Sequence, residues 1–186
     1  IGGNAIADAR FIPPHHQLVG GLMGDLENFL NNPDVNVPDL VKIAIAHYQF
    51  ETIHPFLDGN GRIGRLLITL FMVEEKILDK PLLYLSTYFE KRKDLYYDNL
   101  NMVRVNNDML HWVKYFLVGI EQTATLAVQT LTRIMRFKEE TEDHIRTHYG
   151  RRSTNAILLV HQLLQNPILT VDQAAKICGI SYKAAN

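Results

Sequence analysis

Several of the features that would sort this chain into a class at a glance are missing. There is one cysteine, Cys178, in 186 residues, so no intramolecular disulfide staples the chain and a reducing compartment is the natural setting. No apolar run approaches the roughly 20 residues needed to cross a bilayer, and no signal-peptide pattern opens the chain. Net charge is nearly absent too. Nineteen Lys and Arg against 20 Asp and Glu leave −1, which gives no sign of a generally basic nucleic-acid surface or an acidic tail. Internal repeats and low-complexity tracts are lacking, and so is any strand pattern beyond the first dozen residues. What remains, 47% apolar and 21% charged residues, is the composition of a globular protein with one full domain and at most a small appendix. The chain begins at Ile1 without a Met and stops inside a helical pattern, so a fragment of a longer protein is expected.

The patterns that are present are mostly helical. Gly2-Gly3-Asn4 is turn chemistry, and Ala9-Arg10-Phe11-Ile12 before Pro13-Pro14 suits a short strand, so a small hairpin is expected over about residues 1–12. Leu18, Leu22, Leu26, Phe29 and Leu30 then recur at helical spacing up to Asn31-Asn32-Pro33. A second amphipathic helix starts at Pro38-Asp39 and ends before Pro55, which leaves His54 at its C-terminus. Residues 63–73 are apolar on nearly every side and predict a buried central helix. Ser86 reads as the N-cap of a further helix or helix pair carrying Tyr88, Phe89, Tyr96, Leu100 and Val103. Asn106-Asn107-Asp108 is a turn, and a long helix follows from about Met109 to His148. Gly150-Arg151-Arg152 looks like a boundary. Beyond it, Thr170 as cap, Ala174-Ala175, Gly179 in a turn and Ser181 as a second cap give helix-turn-helix spacing. The expected organisation is one domain over 1–148 and a partial helix-turn-helix or winged-helix domain over 153–186.

Chemistry concentrates in one run, His54-Pro55-Phe56-Leu57-Asp58-Gly59-Asn60-Gly61-Arg62-Ile63-Gly64-Arg65, at the entry to the central helix. Cations in a first helical turn oppose the helix dipole, so Arg62 and Arg65 make most sense with an anion beside them. Gly59 and Gly61 allow a tight turn and a close backbone approach, and their N–H groups can form a nest for phosphate oxygens. Asn60 can donate its amide to a phosphate. Asp58 is a single carboxylate beside that nest, the usual way Mg²⁺ is held between protein and substrate phosphates. His54 is the one group in the run able to take a proton near neutral pH, and Phe56 anchors the loop in the core. A base, a metal carboxylate and an anion nest at this spacing imply nucleophilic attack on a bound nucleotide phosphate.

That run resembles the Fic-family signature HPFx(D/E)GNGRxxR without a departure. The likeness extends to Ile1-Gly2-Gly3 and residues 9–14, similar to the Fic flap and its exit, and to Leu83-Tyr84-Leu85-Ser86 with Tyr96-Tyr97. It covers about residues 1–140. The resemblance implies an all-α Fic bundle with a β-hairpin flap. It also implies transfer of AMP from ATP-Mg²⁺ to a Ser, Thr or Tyr hydroxyl of a target protein in a bacterial cytoplasm. By analogy His54 is the base, Asp58 holds Mg²⁺, and Gly59, Asn60, Gly61, Arg62 and Arg65 hold the phosphates. Tyr97 packs on adenine, and the flap residues Ile1, Gly2, Gly3, Phe11 and Ile12 dock the target as an added strand. The intact Asp58-to-Gly61 pattern separates the chain from the phosphate-transferring Doc branch. Many members also carry an inhibitory helix, (S/T)xxxE(G/N). Ser86-Thr87-Tyr88-Phe89-Glu90-Lys91 begins like it, but Lys91 departs, so the inhibitor is expected upstream or on another chain.

Other residues carry weaker signals. His144 and His148, four apart, could face a metal but read as exposed helix residues, and Cys178 as a small buried hydrophobe. The alternative function is a transcriptional or interaction regulator that uses the helix-turn-helix, with the Fic site sensing nucleotide. Lys176 and Lys183 are the few cations the tail offers to DNA. A homo-oligomer is compatible with the sequence.

Overall fold

Punctuation residues set the helix ends. In the computed structural model, which describes Ile1 and residues 8–186, α1 (His16–Asn31) stops just before Asn32-Pro33, where the Asn32 Oδ1 accepts the Asp34 N–H at 2.9 Å. Helix α2 (Asp39–Ile53) begins after Pro38 with Asp39 favourably placed in its first turn. Its end is His54, in the left-handed region at φ 52°, ψ 57°, with its N–H on the Phe50 carbonyl. Then come α3 (Asn60–Glu74), α4 (Leu85–Lys91), α5 (Lys93–Asn106) and α6 (Met109–His148).

Residues Ile1–Ala127 and Val128–Asn186 form two compact units. In the first, α2 packs against both α1 and α3. It is almost wholly enclosed: Ile43, Ala44, Ala46, His47, Phe50 and Ile53 are all buried. Around His47 lie the rings of Phe89, Tyr96, Trp112 and Phe116, with centroids 5.9–6.3 Å from the imidazole. The Trp112 indole N–H donates to the Ala44 carbonyl at 2.8 Å, so even its polar edge is satisfied.

Two expectations fail. No strand occurs among the described residues, so the expected β-hairpin flap is corrected: Ile1 and residues 8–12 carry no strand, and residues 2–7, Gly2 and Gly3 among them, lie outside the described residues. Ile1 exchanges bonds with the Phe11 backbone, and its carbonyl accepts from both Arg10 (3.0 Å) and Phe11 (3.3 Å). Among the described residues this is a single point of closure. Pro13-Pro14, without N–H donors, cannot extend it, and a lone two-stranded ribbon has little stability of its own. The second correction concerns α3, which is buried on one side only. Gly64, Ile68, Phe71 and Met72 face inward, whereas Leu66 and Leu70 are more than half exposed. It packs chiefly against α2, and Ile63, Leu67 and Leu70 line a groove with Met23 and Gly24 of α1.

In the second unit a 3₁₀ turn (Gly150–Arg152) leads to α7 (Ser153–Gln165), α8 (Val171–Cys178) and α9 (Tyr182–Ala185). Thr170 and Gln173 form a reciprocal capping box, and Gly179 ends α8 at φ 63°. Glu142 of α6 accepts from His161 of α7 at 2.7 Å and pairs with Arg146 at 2.8 Å. The His148 ring contacts the His144 carbonyl at 2.9 Å. Lys176 is paired with Asp172. No described helix is long and apolar enough to cross a membrane.

Candidate active site

The loop between α2 and α3 is folded by its own side chains. Asn60 is 2% exposed, and its amide clamps the Phe56 backbone from both ends: Oδ1 accepts the N–H at 2.9 Å and Nδ2 donates to the carbonyl at 2.6 Å. The amide is thereby committed to the loop, which leaves Asn60 its backbone N–H to offer an anion. The Phe56 ring is 46% exposed and 6.4 Å from Phe50, so the backbone clamp holds the loop more than the ring does. Gly59 precedes α3 at φ 86°, a conformation that costs a side-chain-bearing residue. At Gly61 the constraint is the milder one of room for a side-chain tip. A Cβ there would lie 3.1 Å from Arg65 Nη1.

At the free N-terminus of α3, where the first N–H groups lack intrahelical partners, the charged side chains gather. Asp58 accepts from the Gly59 N–H at 2.7 Å and from Arg62 at 3.0 Å. Both charged side chains are exposed, so this pair exchanges readily with other partners. Arg65, mostly covered, donates its Nε–H to the Ser86 hydroxyl at 3.1 Å, and Nη2 lies 3.8 Å from the exposed Glu90 carboxylate. Ser86 is therefore not the N-cap of α4. Tyr84 occupies that position and makes no side-chain cap bond. Ser86 and Glu90, which begin like the inhibitory motif that Lys91 breaks, both come to Arg65 even though 21 residues separate Ser86 from it.

His54 opens onto the same space. Burial, the largest influence, lowers its pKa, and Arg104 adds to the effect. Its Nδ1 is enclosed and without a hydrogen-bond partner. The ring is thus neutral at pH 7 and free to accept a proton. With Asp58, Gly59, Asn60, Gly61, Arg62, Arg65, Lys93 and Tyr97 it lines a cavity of about 480 Å³. A second cavity of about 680 Å³ shares His54, Gly61, Arg65 and Tyr97, and adds Ile1, Phe11, Glu51 and Arg104. The Arg104 guanidinium lies 3.6 Å from the centre of the Phe11 ring. Ile12 is 60% exposed and is not among the residues lining either cavity.

No group of three or more His, Cys, Asp or Glu among the described residues could hold a metal. Asp58 alone suits a cation delivered with a polyphosphate, the remaining ligands being phosphate oxygens and water.

Residues 4–72 match the family described as Fic/DOC. Over that stretch the chain is similar to the Fic/DOC family. Over 187 residues it is 26% identical to a probable protein adenylyltransferase of Aquifex aeolicus (strain VF5), covering 96% of this chain and 50% of that protein. The protein adenylyltransferase fic-1 of Caenorhabditis elegans is 38% identical over 65 residues, 34% of this chain and 13% of its own length. Among solved structures, a Fic family protein from Desulfovibrio desulfuricans G20 superposes with a TM-score of 0.61 at 30% identity. That match covers 91% of this chain and 45% of the other. The chain spans about half the length of the relatives it matches over nearly all of its own length.

Proposed function

We propose that this Fic domain is a protein adenylyltransferase, which moves AMP from ATP-Mg²⁺ to a hydroxyl of a target protein and releases pyrophosphate. The observation that carries the reading is a neutral His54 lining one cavity with the N-terminus of α3, Asp58, Arg62 and Arg65. The names of the relatives at Aquifex and Caenorhabditis point the same way.

His54 takes the proton of the target hydroxyl as its oxygen attacks the α-phosphorus. The bond from that phosphorus to the bridging oxygen breaks, and pyrophosphate leaves with the electron pair. The backbone N–H groups of Asn60 and Gly61, joined by that of Gly59 once Asp58 releases it, hold phosphate oxygens at the α3 N-terminus. Arg62 exchanges Asp58 for the outer phosphates, which frees the carboxylate to ligate the Mg²⁺ that accompanies ATP. Arg65, steadied by Ser86, binds the terminal phosphate, and Tyr97 flanks the base. The target approaches from the side of Ile1 and Phe11, which line the cavity that His54 shares.

The test uses ATP labelled at the α- or the γ-phosphate, with Mg²⁺ and candidate target proteins. Label from the α-position should become protein-bound, and His54→Ala should slow its transfer by roughly 10²–10⁴-fold, the usual worth of a positioned base. Transfer of the γ-label, or α-label transfer unaffected by His54→Ala, would sink the proposal.

A further inference from the structure

Glu51 stands out among the buried groups for which the reaction above has no use. It lies in the last turn of α2, three residues before His54, and is 7% exposed. Its Oε1 is enclosed and has no hydrogen-bond partner, an expensive state for a carboxyl group unless something compensates it. Oε1 is 2.6 Å from where a Cβ on Gly64 would sit and 3.9 Å from one on Gly61, the point that Arg65 Nη1 approaches to 3.1 Å. A carboxyl and a guanidinium are therefore gathered round the first turns of α3, where the polyphosphate is proposed to bind.

Charged and titratable groups face Glu51 from α2, α3 and α5. On α2 itself His47 is neutral, committed to the Gly64 carbonyl and the Tyr96 hydroxyl, each at 3.0 Å, and His54 is the proposed base. Arg65 faces Glu51 from α3, and Tyr96 and Arg104 face it from α5. Arg10, the Ile1 amino group, Lys93 and Asp98 line the same cavity. Burial pushes the Glu51 carboxyl up to about 7, against the opposing pull of Arg65 and then Arg104. A polyanion that engages Arg65 removes part of that pull and adds negative charge, and both effects favour the protonated carboxyl.

We infer that Glu51 is a positioning residue of the phosphate site: its carboxylate faces Arg65 across the start of α3 while the site is empty, and on polyphosphate binding it takes one proton from solvent as the guanidinium turns to the ligand. An O–H bond forms on the Glu51 carboxylate and no other bond changes. The inference rests on the polyphosphate-binding part of the proposed function and not on AMP transfer.

Calorimetric titration with the Mg²⁺ complex of α,β-methylene-ATP, in buffers of differing ionisation enthalpy, reads the proton directly. At about pH 7.5 the unsubstituted chain should take up as much as about one proton more than Glu51→Gln, and the difference should vanish at about pH 5.5, where the free carboxyl is already protonated. Protonation of the ligand or of His54 is common to both proteins and cancels. Above pH 7 the affinity of the unsubstituted chain should fall by up to about tenfold per unit relative to Glu51→Gln. Equal proton uptake and parallel pH profiles would overturn the inference. So would a carbon-13 spectrum of the unsubstituted, glutamate-labelled chain in which no carboxyl resonance moves to its protonated position when the analogue binds at about pH 7.5. That second measurement needs no variant and stands if Glu51→Gln fails to fold. Glu51-dependent proton uptake without α-label transfer would retain this inference and remove the adenylyltransferase reading. Transfer without the uptake would do the reverse.

Discussion

At the scale of single residues, the glycines of the loop do three separate jobs. Gly59 adopts a left-handed conformation, Gly61 leaves room for Arg65, and Gly64 is the contact point between α2 and α3. A Cβ on Gly64 would sit 2.6 Å from Glu51 Oε1, 3.1 Å from Phe50 and 3.2 Å from His47, all on the enclosed face of α2. Gly64→Ala is therefore expected to cost about 1–3 kcal/mol as an overpacking substitution, despite alanine's better helix propensity. Urea unfolding measures it, and the double variant with Glu51→Ala should recover part of the loss; a neutral Gly64→Ala would show that the two helices are not in this contact. The proposed roles of His54, Asp58, Arg62 and Arg65 follow from residue types at fixed spacing in one continuous run, which the structure brings to one cavity. Those of Glu51, Ser86 and Glu90 do not. Their significance comes from partners brought in from other helices, and nothing in a local pattern distinguishes Ser86 bound to Arg65 from Ser86 as a helix cap.

At the scale of elements, α2 is the hinge of the argument because it brings two oppositely perturbed groups to α3 and α5. His47, buried between the Gly64 carbonyl and the Tyr96 hydroxyl, is lowered to about 4, chiefly by desolvation. Its folded state binds a proton less readily than the unfolded chain, so stability is lost as pH falls from 6.5 towards 4. Glu51 is raised from 4.5 to about 7, so its contribution is present at low pH and lost as pH rises through that window. Between about 4.5 and 6.5 the two slopes oppose each other, and stability should be nearly flat. Glu51→Gln leaves His47 unopposed: the variant's stability should climb by about 3 kcal/mol from pH 4 to 6.5, at about 1.4 kcal/mol per pH unit. Urea midpoints measured across that range decide the matter, and identical slopes for the two proteins would refute it. Helix existence was well marked in the sequence, because α1, α2 and α6 carry long periodic patterns with proline or asparagine breaks. Side was less well marked. The all-round apolar pattern of α3 reads as full burial, yet its outer stripe of Leu66 and Leu70 remains exposed. The flap expectation rested on strand propensity between Gly-Gly and Pro-Pro, and among the described residues no neighbouring strand supports it.

At the scale of the whole chain, every residue assigned to the reaction lies within Ile1–Ala127, and none lies in Val128–Asn186. The helices after Arg152 are stabilised within their own unit, by the Thr170 capping box and the Glu142–His161 pair. Truncation after Arg152 should therefore leave the rate of AMP transfer to a small hydroxyl acceptor within about twofold, as expected when no group touching the transition state is removed. A loss comparable to His54→Ala would place part of the active centre in the second unit. The central claim is that the bond broken is the one between the α- and β-phosphates, with a protein hydroxyl as the acceptor. It is tested most directly by measuring, in one reaction, the pyrophosphate released and the AMP fixed covalently on protein. The expected result is one pyrophosphate for each AMP, both lost in His54→Ala. Release of ADP with phosphate fixed on the protein, or pyrophosphate release with no AMP fixed, would contradict it.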